Sequence, residues 1–270
     1  MKGVNADWLA RVEVDGCART RSQEVAELAV DLALVALQIV APNLDTHTMA
    51  RLDAHRGTGE RRTISETGGF HSIGWQQRRP GMAIGQGTLA HVVQVGAPLI
   101  ESIGNVVRSF TSGVYRLPAI EMAWCDAAYW FHQALSEPVE TIAIAKLETS
   151  LEVLLKAENA KGSTQRILKT LQTFFDLAPD DPVAPGSMVD ARSFAARVVR
   201  DRSRILHGTW STLNTRGMDR DGMEAFVRSV LRSAVSEMEG YIALPDSCDD
   251  MQDMLAWVER RKGKTSTVFA

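Results

Sequence analysis

The chain has 270 residues, 45% of them hydrophobic and 23% charged, with a formal net charge of −3. That balance is ordinary for a soluble globular chain and excludes a broad basic surface for nucleic acid, though not a local basic cleft. The three cysteines, Cys17, Cys125 and Cys248, are odd in number and far apart, which fits a reducing, cytoplasmic location and offers neither a disulfide framework nor a zinc pair. The most apolar run, residues 25–42, contains Glu27, Asp31 and Gln38, so it reads as a buried amphipathic helix and not as a membrane span. The N-terminus lacks the charged-then-apolar layout of a signal peptide.

Residues 1–22 carry weak signals, with Trp8 and Leu9 as candidates for a short helix. A helix is expected from Ser22 and Glu24 to Val40, ended by Pro42. Residues 49–62 are polar and read as a loop or short helical piece. In residues 62–84, Phe70, Ile73 and Trp75 alternate with Gly, Ser and His, which predicts a small hairpin, with Arg79-Pro80-Gly81 as a turn. Gly85 and Gly87 lack the following lysine of a phosphate loop and read as a turn between elements. A helix over 97–110 closes this half, and Thr111-Ser112-Gly113 is the boundary.

From Leu117 the pattern is almost wholly helical. Pro118 suits a first helical turn, and Ile120, Trp124, Ala127, Phe131 and Leu135 share one apolar face. Further helices are expected over 139–157, from an N-cap at Ser163 to 177, over 187–206, over 222–244 and over 247–261, the last with Asp249, Asp250 and Asp253 early and Arg260, Arg261 and Lys262 late. The fold class is therefore mainly α: an antiparallel helical bundle preceded by a smaller α+β region. The segments are 1–113, 114–245 and a C-terminal helix and tail at 246–270.

The stretch 187–212, SMVDARSFAARVVRDRSRILHGTWST, carries the chemistry. Phe194, Val198, Arg202 and Ile205 recur at helical spacing, so a cation falls on an otherwise apolar stripe, where it needs a partner. His207 follows, and Gly208 is the natural stop. Other histidines (His47, His55, His71, His91 and His132) lack metal-ligand spacing, and no metal or other cofactor is expected.

On three pieces, AIEMAWCDAAYWFHQAL, IAIAKLETSLEVLL with the TQRILKTL helix after it, and RSRILHG, the chain resembles the HEPN superfamily, most closely its Apea-like branch. The resemblance covers about residues 117–244. It implies a short helix bundle that forms a homodimer, with the arginine and histidine of the motif in a cleft at the dimer interface. Many such domains are metal-independent endoribonucleases of host defence or toxin–antitoxin systems, and others only bind RNA or protein partners. Carried onto this chain, the motif residues are Arg202, Ser203 and His207, and Glu148 matches an acidic position on the second helix of the bundle. The first half of the chain is not covered.

These residue types suit RNA cleavage. A histidine can take the ribose 2′-OH proton or give one to the leaving 5′ oxygen, while a guanidinium holds the phosphoryl oxygens through a fork that lysine cannot copy. The expected products are a 2′,3′-cyclic phosphate and a 5′-hydroxyl. On a regular helix, five residues turn the chain by about 140°. Helix geometry therefore favours Arg200, and the family pattern favours Arg202, as the partner of His207. The structural account of the same residues makes Arg202 a buried arginine paired with Glu148 and His207 a helix-terminal histidine favourable to the dipole. Two readings follow: a dimeric RNA endonuclease, or a non-catalytic module binding RNA or a regulatory protein partner.

Overall fold

A computed structural model of the chain describes residues 11–42, 46, 49–51, 59–78, 85–156, 160–211 and 220–266. The elements run α1 (Arg19–Val40), β1 (Gly59–Thr67), β2 (Phe70–Arg78), α2 (Gln86–Val95), α3 (Ala97–Ser112), α4 (Pro118–Leu135), α5 (Glu140–Leu155), α6 (Ala160–Phe175), α7 (Ala191–Leu206), α8 (Arg220–Ile242) and α9 (Met251–Ser266). The fold is mainly helical, with one two-stranded antiparallel sheet near the N-terminus. Among the described residues no helix is long and apolar enough to cross a membrane.

The α4–α5 pair is the centre. Its connection, residues 136–139, is too short for anything but a reversal, and α5 packs along α4. Ile120, Trp124, Ala127, Phe131 and Leu135 are all buried, as their spacing predicts. The Trp124 indole donates to the Leu231 carbonyl at 3.0 Å, so its one polar atom is satisfied inside the core and ties α4 to α8. Helices α1 and α3 pack on this centre too, and Leu32, Val35, Ile103 and Val106 belong to the same apolar cluster as Trp124 and Leu231.

Helix ends follow local chemistry, in places differently from the sequence reading. Asp249 does not serve its own helix: its carboxylate accepts from the N–H groups of Ala119 at 2.7 Å and Ile120 at 3.0 Å, capping α4 from the far end of the chain. Asp250 caps α9, accepting from Gln252 at 2.7 Å. Helix α6 begins at Ala160, so Ser163 is not its N-cap but a buried residue within it. Helix α7 begins at Ala191, not at 187: an isolated bridge between Pro182 and Asp190 closes a turn that takes in residues 183–189, and Asp190 accepts from the Ser193 N–H at 2.7 Å.

The hairpin is present, but it turns at Gly68-Gly69, with Thr67 opposite Phe70. Arg79-Pro80-Gly81 and Trp8 with Leu9 lie outside the described residues. Gly85 is the N-cap of α2, in keeping with a turn between elements, but Gly87 lies within that helix and not in a turn.

Candidate functional site

Helix α7 presents its apolar stripe, including Phe194, Val198 and Ile205, to the core. Arg202 lies on that stripe and is directed at α5, where Glu148 and Glu152 stand one turn apart. Arg202 Nη1 is 2.6 Å from Glu152 Oε2, and Arg202 Nε is 3.4 Å from Glu148 Oε2. Glu152 also accepts from the Ser163 hydroxyl at 3.0 Å, so one carboxylate joins α5, α6 and α7.

The two acids differ sharply. Glu148 is fully buried, and neither of its oxygens has a hydrogen-bond partner among the described residues. Burial pushes its carboxyl up to about 9, helped by the nearby Glu152 and Asp201 and opposed by Arg202. At neutral pH Glu148 is therefore protonated, and Glu152 alone balances the guanidinium. The sequence reading paired Arg202 with Glu148; the structure places both acids beside it and gives Glu152 the short contact. The signal for Glu152 was its i, i+4 spacing from Glu148, which puts both on one helix face.

Arg202 and His207 are not brought into contact. His207 is the C-cap of α7: its backbone N–H donates to the Ser203 carbonyl at 3.0 Å, and its side chain is exposed with no hydrogen bond or ion pair among the described residues. Gly208, at φ +67°, ends the helix in the left-handed conformation that glycine adopts without strain. Ser203 is half-buried. Arg200 is exposed, its Nε 3.3 Å from Asp201 Oδ1, and it makes no link to His207 either.

Next to the histidine the structure adds a pair that spacing arguments missed. The Arg204 guanidinium lies over the Trp210 ring, 4.6 Å from its centre, and the Trp210 backbone N–H donates to the Arg204 carbonyl at 3.0 Å. A tryptophan two residues beyond a Gly stop can fold back on the last helical turn, and that was the available signal. Leu206, 60% exposed, adds an apolar surface there.

On the other side of Glu152, a shallow cavity of about 460 Å3 between α4 and α5 is lined by Met122, Asp126, Glu152 and Lys156, among others. Burial raises the Asp126 carboxyl above its usual range. Among the described residues no cluster of three or more His, Cys, Asp or Glu side chains could hold a metal ion.

In chemical terms, the end of α7 offers an exposed imidazole, a stacked guanidinium–indole pair and a part-exposed arginine steadied by carboxyl groups. No protein-family model matches the chain, and no curated protein or solved structure gives a significant match.

Proposed function

We propose that the chain is a metal-independent endoribonuclease of HEPN type, acting through the C-terminal end of α7. The single observation that carries the reading is the exposed imidazole of His207 at the end of a helix whose Arg202 is held in a fixed position by α5. His207 takes the 2′-OH proton as the ribose oxygen attacks phosphorus, or supplies a proton to the departing 5′ oxygen. The O2′–P bond forms, the P–O5′ bond breaks, and a 2′,3′-cyclic phosphate remains. Arg202 has five N–H donors, of which Glu152 uses one, so others remain to hold a phosphoryl oxygen. Protonation of Glu148 supports this role, because a second anion there would compete with the phosphate. The Arg204–Trp210 pair supplies a surface on which a base can stack.

The 140° separation of Arg202 and His207 along α7 is bridged, in this reading, by a second subunit, each cleft drawing on α7 of both copies. A role in host defence or a toxin–antitoxin-like system, with a regulatory protein partner, belongs to the same proposal.

A second reading has its own observation. The 2.6 Å contact of Arg202 with Glu152 makes the arginine a structural tie between α5 and α7. The exposed Arg200, Arg204 and His207, with the half-buried Trp210, would then form a non-catalytic RNA-binding or protein-binding surface.

The deciding experiment incubates purified protein with total RNA in EDTA, comparing wild type with His207→Ala and assaying 2′,3′-cyclic phosphate ends. Cleavage by wild type alone supports the nuclease. RNA binding without cleavage by either protein supports the second reading.

A further inference from the structure

The groove between α4 and α5 stands apart from the end of α7. Neither Arg202 nor His207 is among the residues that line its cavity of about 460 Å3. Ala119, Met122 and Asp126 line it from α4, at helical spacing that puts them on one face. Val153 and Lys156 line it from the end of α5. The start of α9 fixes how the two helices align: Asp249 caps the start of α4, and Gln252 Nε2 donates to the Leu155 carbonyl at 3.5 Å. Lys156 therefore stands beside the start of α4. Asp126 lies about 6 Å along α4 from Met122 and about 10 Å from Ala119, so it marks the opposite end of the groove.

Two opposite charges line this groove, and the fold neutralises neither. Among the described residues the Asp126 carboxylate has no hydrogen bond or ion pair. Burial raises its pKa, with no cation or donor to oppose the shift. The Lys156 ammonium, on an exposed residue at the C-cap of α5, likewise has no hydrogen bond or ion pair among the described residues. The neighbouring acids are already taken: Glu152 by Arg202 and Ser163, and Asp249 by the N–H groups of α4. Between the two charges the floor is apolar. Met122 is 48% exposed, and Val153 is partly buried against the core. Single free charges are ordinary on a surface. Here opposite charges stand at the two ends of one concave apolar floor, the arrangement that orients a small ligand.

We propose that this groove binds a small linear zwitterion, with a primary ammonium against Asp126, a carboxylate against Lys156 and a short aliphatic spacer over Met122 and Val153. A cation at Asp126 supplies the stabilisation that its carboxylate has lost with its water. A solvated ion pair alone is worth little, but two pairs joined by a spacer of the right length act as one binding event. A simple amine would leave Lys156 unmatched. A dianion such as a phosphate monoester would meet the negative charge of Glu152. An α-amino acid carries both charges on one carbon and cannot reach both ends.

The probe is ε-aminocaproate. Hexylamine, caproate and glycine are the controls, lacking the anion, the cation and the spacer in turn. Binding to the full chain is measured by ligand-observed NMR titration, with circular dichroism to confirm that each variant keeps its helical fold. Wild type is expected to bind ε-aminocaproate with a Kd of about 1 mM, and at least about fivefold more tightly than any control. Asp126→Asn keeps the shape of the side chain and should weaken binding about fivefold or more. Lys156→Asn suits the left-handed backbone at that position, where φ is 51°, and should bring ε-aminocaproate down to the level of hexylamine. The readout is binding of the probe and not RNA cleavage, so this proposal and the nuclease reading of α7 can fail separately. No binding of ε-aminocaproate by wild type up to about 10 mM overturns the proposal. So does equal binding of hexylamine by wild type, or an affinity that neither substitution changes.

Discussion

Glu148 Oε2 lies 3.4 Å from Arg202 Nε, yet the charge partner of Arg202 is Glu152, at 2.6 Å. A carboxyl whose pKa burial lifts to about 9 stays protonated at neutral pH, so closeness alone does not make an ion pair. This sets the first prediction. Glu148 keeps its proton to higher pH in the folded chain than in the unfolded chain, where an ordinary glutamate titrates near 4.3. The folded state then binds more protons throughout that window. Stability therefore falls as pH rises from about 4.3 towards about 9, and the whole penalty is present above the folded value. Glu148→Gln removes that slope. Thermal unfolding between about pH 6 and pH 9 should show wild type losing more Tm than the variant. Equal losses would show that Glu148 is charged in the fold.

Glu152→Gln should behave in the opposite way. It takes the short contact from Arg202 and weakens the acceptor for Ser163. A cost of about 1–3 kcal/mol at neutral pH is expected by chemical denaturation. A neutral result would mean that the α5–α7 tie does not hold these helices together.

Under the proposed nuclease reading, Arg202 and His207 should separate stability from activity. His207→Ala removes an exposed side chain with no hydrogen bond or ion pair among the described residues, so stability should stay within about 0.5 kcal/mol of wild type while RNA cleavage is abolished. Arg202→Ala should abolish cleavage and also destabilise, because Glu152 loses its cation. Arg202→Lys keeps charge without the fork and should lose most activity. Arg200→Ala is the control. If it is inactive while Arg202→Ala still cleaves, the geometric choice of arginine is reversed.

Trp210→Ala and Arg204→Ala remove the stacked pair at the end of α7. Base stacking is worth about 1–3 kcal/mol per base in single-strand binders, so each should weaken binding of a single-stranded RNA oligonucleotide about fivefold or more. Fluorescence anisotropy would measure this, and unchanged affinity would remove the pair from the site.

Asp249→Ala offers a check remote from α7. The carboxylate accepts from the N–H groups of both Ala119 and Ile120, so its loss should cost about 1 kcal/mol or more in thermal unfolding, and under the nuclease reading RNA cleavage should be unaffected in conditions where the protein stays folded.

The sequence by itself determined the helical class, because the apolar spacing of α4 and α8 repeats at the helical period and their buried faces follow it. It also located the end of α7, since a histidine and glycine after an apolar-periodic run are a local stop signal. It placed a hairpin near Phe70 and Ile73 but did not single out Gly68-Gly69 as its turn, because proline and glycine at 80 and 81 signal a turn as strongly as paired glycines do. Only the tertiary structure decided what caps α4 and what pairs with Arg202. Asp249 lies 130 positions from Ala119 along the chain, and Glu152 meets Arg202 only once α5 and α7 are packed. The protonation of Glu148 was likewise out of reach. Local sequence records the carboxyl, but its charge is set by the water that folding removes around it, and that depends on every helix that closes over it.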